Sequence, residues 1–175
     1  FNEFMNEFSS FYSYNSPIYI WNKEKLLTIN TTTKNNLWET HGGAYNSFYG
    51  VNTESNITLV ANPEAFHECI FNNIEWKSTC VPQDEAEYAK PQDINYTWEK
   101  IHVWNEFQDS NEVTISKLRK LNRKYRMALP RDYGGRDRIR SNWAFIKLMA
   151  DNTSGYFYVN QPILLYYIPN YIMIQ

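Results

Sequence analysis

Short apolar runs alternate with polar breaks along most of the chain, a period-two pattern that predicts strands rather than helices. Ile18-Tyr-Ile-Trp21, the polar Asn22–Lys25 break and Leu26-Leu-Thr-Ile29 read as strand, turn, strand, a hairpin entered from Ser10. Asn36–Thr40 adds a short strand. His41-Gly-Gly-Ala-Tyr-Asn-Ser-Phe-Tyr-Gly50 follows as a specified loop: Gly42 and Gly43 permit a positive-φ turn beside His41, and aromatics resume a strand before Gly50 stops it. Asn56–Ala61 is a further β run, Pro63–Glu68 predicts one helical turn, and Cys69–Trp76 alternates again. In Tyr96–Phe107 one face carries Trp98, Lys100, His102 and Trp104 and the other Ile101, Val103 and Asn105, which suits a strand covered on both sides. Lys117–Met127 admits a basic helix or a strand. Trp143–Met149 and Tyr156–Val159 flank Asp151–Gly155 as a predicted hairpin, and Pro162–Ile174 is a last β run. Phe1, Phe4, Phe8 and Phe11 fall near helical spacing.

Composition sharpens this. Fourteen Tyr, ten Phe and six Trp in 175 residues mean that much of the burial comes from rings with a polar edge, which favours sheets and interfaces over helix bundles. The expected fold is mainly β: one β-sandwich-like domain over residues 1–175 with irregular loops and at most one or two short helices. Residues 82–95 are acidic and polar and read as an exposed loop. A first residue of Phe leads us to expect a processed product or a fragment of a longer chain. No apolar run approaches the roughly 18–20 residues of a membrane helix.

The net charge is only −2, but ten of the 17 Lys and Arg lie in a basic excursion between residues 117 and 140, against Asp132 and Asp137 alone. That stretch carries +8 and the rest of the chain −10. Arg119, Arg123, Arg131, Arg136, Arg138 and Arg140 are the candidate interface residues, because a guanidinium pairs bidentately with carboxylates on another surface. Phosphates of a nucleic acid are the competing partner, disfavoured by the acidic balance of the whole.

Catalytic chemistry finds little footing. The chain has no G-x-S-x-G elbow, and His41, His67 and His102 form neither a close pair nor a zinc pattern with Cys69 and Cys80, so we expect no catalytic residue, no cofactor and no metal. Two convergent carboxylates could be drawn from Glu39, Glu54, Glu75 and Glu99, yet nothing separates these from ordinary strand-surface acids. His41, Gly42, Gly43 and Gly50 read as a structural turn. Sequons at Asn30, Asn56, Asn95 and Asn152 are expected by chance in a chain rich in Asn, Ser and Thr.

Several segments together carry a family likeness: Ser10-Phe-Tyr-Ser-Tyr14 leading to Ile18–Trp21, Leu37-Trp38 before His41–Gly50, Ile57–Pro63, Phe71–Trp76, and Met127-Ala-Leu-Pro-Arg131 with Arg136-Asp-Arg-Ile-Arg140. Their order resembles the C-terminal region of the tail muzzle, or tail nozzle, proteins of crAss-like short-tailed bacteriophages, also called stabilisation proteins. The resemblance implies a structural, non-enzymatic virion tail component, assembled in the host bacterial cytoplasm. It further implies identical copies in a cyclic ring, a hexamer in that family, which close the tail channel until genome ejection. Other tail proteins would be held alongside, and phage DNA in the channel is an implied transient contact. The alternative from the residues themselves is a carbohydrate-binding module for host recognition, built on the tryptophans.

Overall fold

The computed structural model describes residues 16–32, 35–40, 42–82, 97–151 and 155–170. The Phe1–Phe11 stretch, Ser10–Tyr14, His41, the acidic loop beyond Pro82, the Asn152–Ser154 turn and the last five residues lie outside these. The chain divides into two compact units, one ending at Thr53 and one beginning at Glu54. Every regular element among the described residues is a strand, and every pairing is antiparallel.

The first unit holds a three-stranded sheet in the order β1 (Tyr19–Asn22), β2 (Lys25–Ile29), β3 (Leu37–Thr40), and a small hairpin of β4 (Ser47–Phe48) with β5 (Val51–Asn52). The expected hairpin is present: Asn22 opposes Lys25 across a two-residue turn in which Lys23 takes φ 52°. Gly43 and Gly50 adopt φ of 91° and 76°, conformations open to glycine at little cost.

In the second unit β6 (Ser55–Ala61), β13 (Ala144–Ala150), β8 (Lys100–Trp104) and β9 (Val113–Thr114) form one sheet in that order. The other sheet is organised by β7 (Cys69–Pro82), whose 14 residues take partners on both edges. One edge carries β11 (Lys124–Ala128), extended by β10 (Arg119–Leu121), and then β12 (Arg140–Ser141). The other carries β14 (Gly155–Val159) and β15 (Leu164–Pro169). Side chains from both sheets share one core, with Phe71, Ile74, Trp76 and Tyr125 from the β7 sheet meeting Ile101, Val103, Ala144, Ile146 and Leu148 from the other. The mainly β expectation is therefore met, with the sandwich-like pair of sheets in the second unit.

A bulge keeps this core continuous. Tyr166 opposes Asn73 while Tyr167 opposes Phe71, so Asn72 is an extra residue in β7. The extra residue resets the alternation: Cys69 and Phe71 are buried before it and Ile74, Trp76 and Ser78 after it, all on one face.

Two local expectations are corrected, and of the two readings open for Lys117–Met127 the strand is the one observed. Trp143–Met149 and Tyr156–Val159 do not form a hairpin, because β13 has β6 on one edge and β8 on the other, and β14 crosses to β7. Pro63–Glu68 forms no helical turn, only a tight turn closed by the His67 amide donating to the Glu64 carbonyl at 3.3 Å. One turn with β7 starting at Cys69 offers no length over which helix nucleation could be recovered. Lys117–Met127 resolves as a hairpin, since Asn122 and Arg123 take φ of 51° and 63°, the primed turn that matches strand twist.

Candidate functional site

The six candidate arginines fall into two groups along the same edge of β7. Arg119 lies on β10 and Arg123 at the β10–β11 turn, on the hairpin that opposes Asn73–Lys77, whereas Arg140 opposes Ile70. At roughly 3.3 Å per residue the rows at Ile70 and Glu75 stand about 15 Å apart.

The hairpin concentrates charge against its own interest. Arg119 sits directly across from Arg126, and Lys124 across from Lys77, like-charge cross-strand neighbours that destabilise a sheet. Partial relief comes from Glu75, 3.7 Å from the Lys124 amine, and from Tyr166, whose ring centroid lies 4.3 Å from the Arg126 guanidinium. Arg123 adds a left-handed backbone conformation, which costs a non-glycine residue about 1–2 kcal/mol.

The second group is set on a loop built from side chain to backbone bonds. Asp132 Oδ1 accepts from the Asp109 amide at 2.9 Å and Oδ2 from the Gly135 amide, while the Asp132 amide donates to Asp137 and the Arg136 amide to Asp132. Gln108 donates to the Arg138 carbonyl at 3.2 Å and accepts from the Arg140 amide at 2.8 Å, and Asn105 donates to the Arg140 carbonyl at 3.2 Å. Arg138 reaches Asn72 at the bulge, and Arg131 donates to the Arg136 carbonyl at 3.2 Å. These contacts fix the backbone and leave all six arginines exposed. Among the described residues, none of the six has a carboxylate within ion-pair distance; the paired cations are Lys25, Lys100, Lys124 and Lys147, with His102 on Asp109.

Backbone amides of Gly135, Asp109 and Gly134 hold the Asp132 carboxyl below its ordinary range. A depressed carboxylate contributes its stabilisation above the unfolded-state pKa and loses it as pH falls through the folded value. The protection of the Gly134 and Gly135 amides, followed by NMR hydrogen exchange, is therefore expected to decline below about pH 4. Asp132→Ala should show the same loss at neutral pH. Equal protection in both proteins at pH 7 would show that the carboxylate does not organise this loop.

The carboxylates weighed for paired catalysis do not converge. Glu39 pairs with Lys25 at 2.8 Å in the first unit, Glu75 with Lys124, and Glu54 with Lys100 at 3.5 Å and Lys147 at 3.8 Å. Burial, then a side-chain hydrogen bond that the protonated Glu99 carboxyl gives to the Asp151 carboxylate, raises the Glu99 carboxyl. Cys69 is a buried thiol, and the Cys80 sulfur lies 3.8 Å from the Tyr125 hydroxyl. No helix among the described residues is long and apolar enough to cross a membrane. Of the turn residues, Gly50 lies against Trp38 and Gly42 against Glu39, where a Cβ would stand 3.3 Å from the Trp38 ring and 3.4 Å from the Glu39 side chain, while a Cβ on Gly43 would meet nothing within 4 Å. Sequence reasoning marked this segment as a turn and missed the cavity it lines; Trp38, three residues before His41, was the available signal.

Comparison with known proteins bears on most of the chain. The muzzle protein of Bacteroides phage crAss001 is 32% identical over 163 residues, covering 89% of this chain and 11% of that protein, so the chain spans about a tenth of the relative's length. Residues 43–132 match the profile of the crassvirus muzzle protein C-terminal domain, a span that includes β7, the basic hairpin and the start of the arginine loop. The chain belongs to the crassvirus muzzle protein C-terminal domain family.

Proposed function

We propose that the chain is a structural part of a bacteriophage tail, located in the virion, whose arginine-bearing edge grips neighbouring subunits. Six exposed guanidinium groups on a fixed backbone, none with a carboxylate among the described residues, support this reading. The like-charge rows Arg119–Arg126 and Lys124–Lys77 support it too, because Glu75 and Tyr166 relieve them only in part and an acidic surface would relieve them further. In the proposed assembly identical copies form a ring, a hexamer as the family likeness implies, by head-to-tail contacts. The net −10 of the remaining residues provides the complementary surface. The ring would close the tail channel and hold neighbouring tail proteins, with passing DNA as a transient contact and with no reaction to catalyse. Assembly in the bacterial cytoplasm belongs to the same proposal.

The test is the triple variant Arg136→Ala, Arg138→Ala and Arg140→Ala in the full-length protein. Exposed substitutions of this kind usually change stability by about 0.5 kcal/mol or less each, so the thermal midpoint should move little. Mass measurement at physiological salt should show a marked loss of the oligomer. An oligomer fraction equal to the parent's would end the charge-grip reading.

A further inference from the structure

The two ends of the β8–β13 pair carry surfaces of opposite form. At one end Trp104 opposes Phe145, and at the other, about 13 Å away at roughly 3.3 Å per residue, Lys100 opposes Met149.

Beyond Trp104 stands a knob. Phe107 is 83% exposed, on a turn closed from within: the Asn105 side-chain oxygen accepts from the Phe107 amide at 2.8 Å and the Gln108 amide at 2.9 Å, and the Asn105 amide donates to the Gln108 carbonyl at 2.9 Å. The bonds of Asn105 and Gln108 to Arg138 and Arg140 join this turn to the arginine loop, and the exposed Tyr133 is tied in by its amide, which donates to the Asp109 carbonyl at 2.8 Å. Arg131, Arg136, Arg138 and Arg140 are exposed around it, while Asp132 is turned to backbone amides and Asp109 to His102, leaving Glu106 and Asp137 as the other acids of this face. A large ring on a fixed backbone loses little freedom on docking, and aromatic and arginine side chains are enriched at the centres of protein interfaces.

At the Lys100 end lies a hollow of about 470 Å³, walled by Trp98, Ile115 and Leu118 and by the charged Glu99, Lys100 and Asp151. A cavity of about 150 Å³ already holds a benzene ring, so a phenyl group fits here with room for a neighbour. The Lys100 amine is engaged by Glu112 at 3.2 Å, Glu54 at 3.5 Å and Asp151 at 3.8 Å, which leaves this end with an excess of carboxylates. Lys117 and Arg119, on either side of Leu118, line a different hollow with Arg126.

We propose that Phe107 of one copy enters the Trp98–Ile115–Leu118 hollow of the next, with the arginine loop facing the carboxylates around it. Knob and hollow stand at opposite ends of the same sheet, so the contact is head to tail and repeats from copy to copy. The inference rests on the reading that identical copies assemble through the arginine-bearing face, and it names both halves of that contact.

The test uses the full-length protein, with the assembled fraction followed by mass measurement against concentration. Phe107→Ser removes the knob, and Thr114→Trp fills the hollow from its exposed rim. Both positions are exposed, so thermal midpoints should stay close to the parent's. Each variant should raise the concentration for half-assembly about 30-fold, the effect of losing an interface anchor. Mixed together the two should form pairs and stop there, because one retains its hollow and the other its knob. Half-assembly of Phe107→Ser at the parent's concentration, or a mixture that stays unpaired, would overturn the proposal. Run alongside, the triple variant of Arg136, Arg138 and Arg140 separates the two readings: if it alone loses assembly, the charge grip stands and the knob falls, and if it alone keeps assembly, the knob stands and the charge grip falls.

Discussion

Trp76→Ala is expected to cost about 3–5 kcal/mol, the range for emptying a large aromatic site in a packed core. Trp76 is 1% exposed, stacks on Tyr125 at 5.9 Å between centroids, and donates its indole N–H to Thr97 at 2.7 Å. The substitution removes a ring, strands a buried hydroxyl and uncovers the face of Tyr125. Domains are stable by about 5–15 kcal/mol, so the loss should bring the second unit close to unfolding in mild denaturant. Trp76→Phe separates the contributions: it keeps most of the ring and loses only the bond to Thr97, at about 1–3 kcal/mol. Urea midpoints followed by far-ultraviolet circular dichroism measure both variants. A Trp76→Ala midpoint equal to the parent's would mean that Trp76 is not a keystone of this core.

Deleting Glu75 should be at least as damaging, whereas deleting Asn72, which also shortens β7 by one residue, should be mild. Phe71 and Ile74 are three positions apart, and the extra residue at Asn72 is what brings both to the core face. Without Asn72, Cys69, Phe71, Ile74 and Trp76 fall into strict alternation and still share that face. The loss is then the bulge itself with the backbone bond from the Leu129 amide at 2.9 Å, about 1 kcal/mol. Without Glu75, Ile74 is followed at once by Trp76. Either Trp76 turns outward and Lys77 inward, or the bulge is given up and Asn73 enters where Ile74 now sits. The first alternative forfeits about 3–5 kcal/mol for Trp76 and buries a charge, and the second replaces a buried aliphatic side chain by an amide at about 2–5 kcal/mol. The contrast between the two deletions, read as denaturant midpoints, identifies the facing of β7 rather than its length as the determinant. Equal midpoints for the two variants would contradict this.

These residues also show what could be read from sequence. Alternation was sufficient for β8, where Ile101 and Val103 point into the core and His102 and Trp104 do not. The step from Phe71 to Ile74 broke the alternation, and that break was the visible sign of the bulge. Pairing was not legible, because a strand's pattern reports which face is buried and not who lies beside it. Thus β13 and β14, adjacent in sequence, enter different sheets. Clustering of arginines between residues 117 and 140 was legible as charge, whereas their division between a hairpin and a loop on one edge of β7 required the register. The cavity beside Trp38 escaped notice for a related reason: its walls come also from Thr28 and the Gly42–Tyr49 segment.

The central position of β7 has a consequence for how the chain is made. Its partners β11, β12, β14 and β15 are all synthesised after it, so the strand leaves the ribosome with both edges bare. At roughly 5–20 residues per second, the interval of about 100 residues from Cys69 to Pro169 lasts about 5–20 s. Such non-local topologies also close slowly, in milliseconds to seconds. Nascent chains therefore pass through a window in which this long strand can pair with the wrong neighbour, and yield in expression should respond more to translation speed and chaperone supply than to the stability of the finished fold.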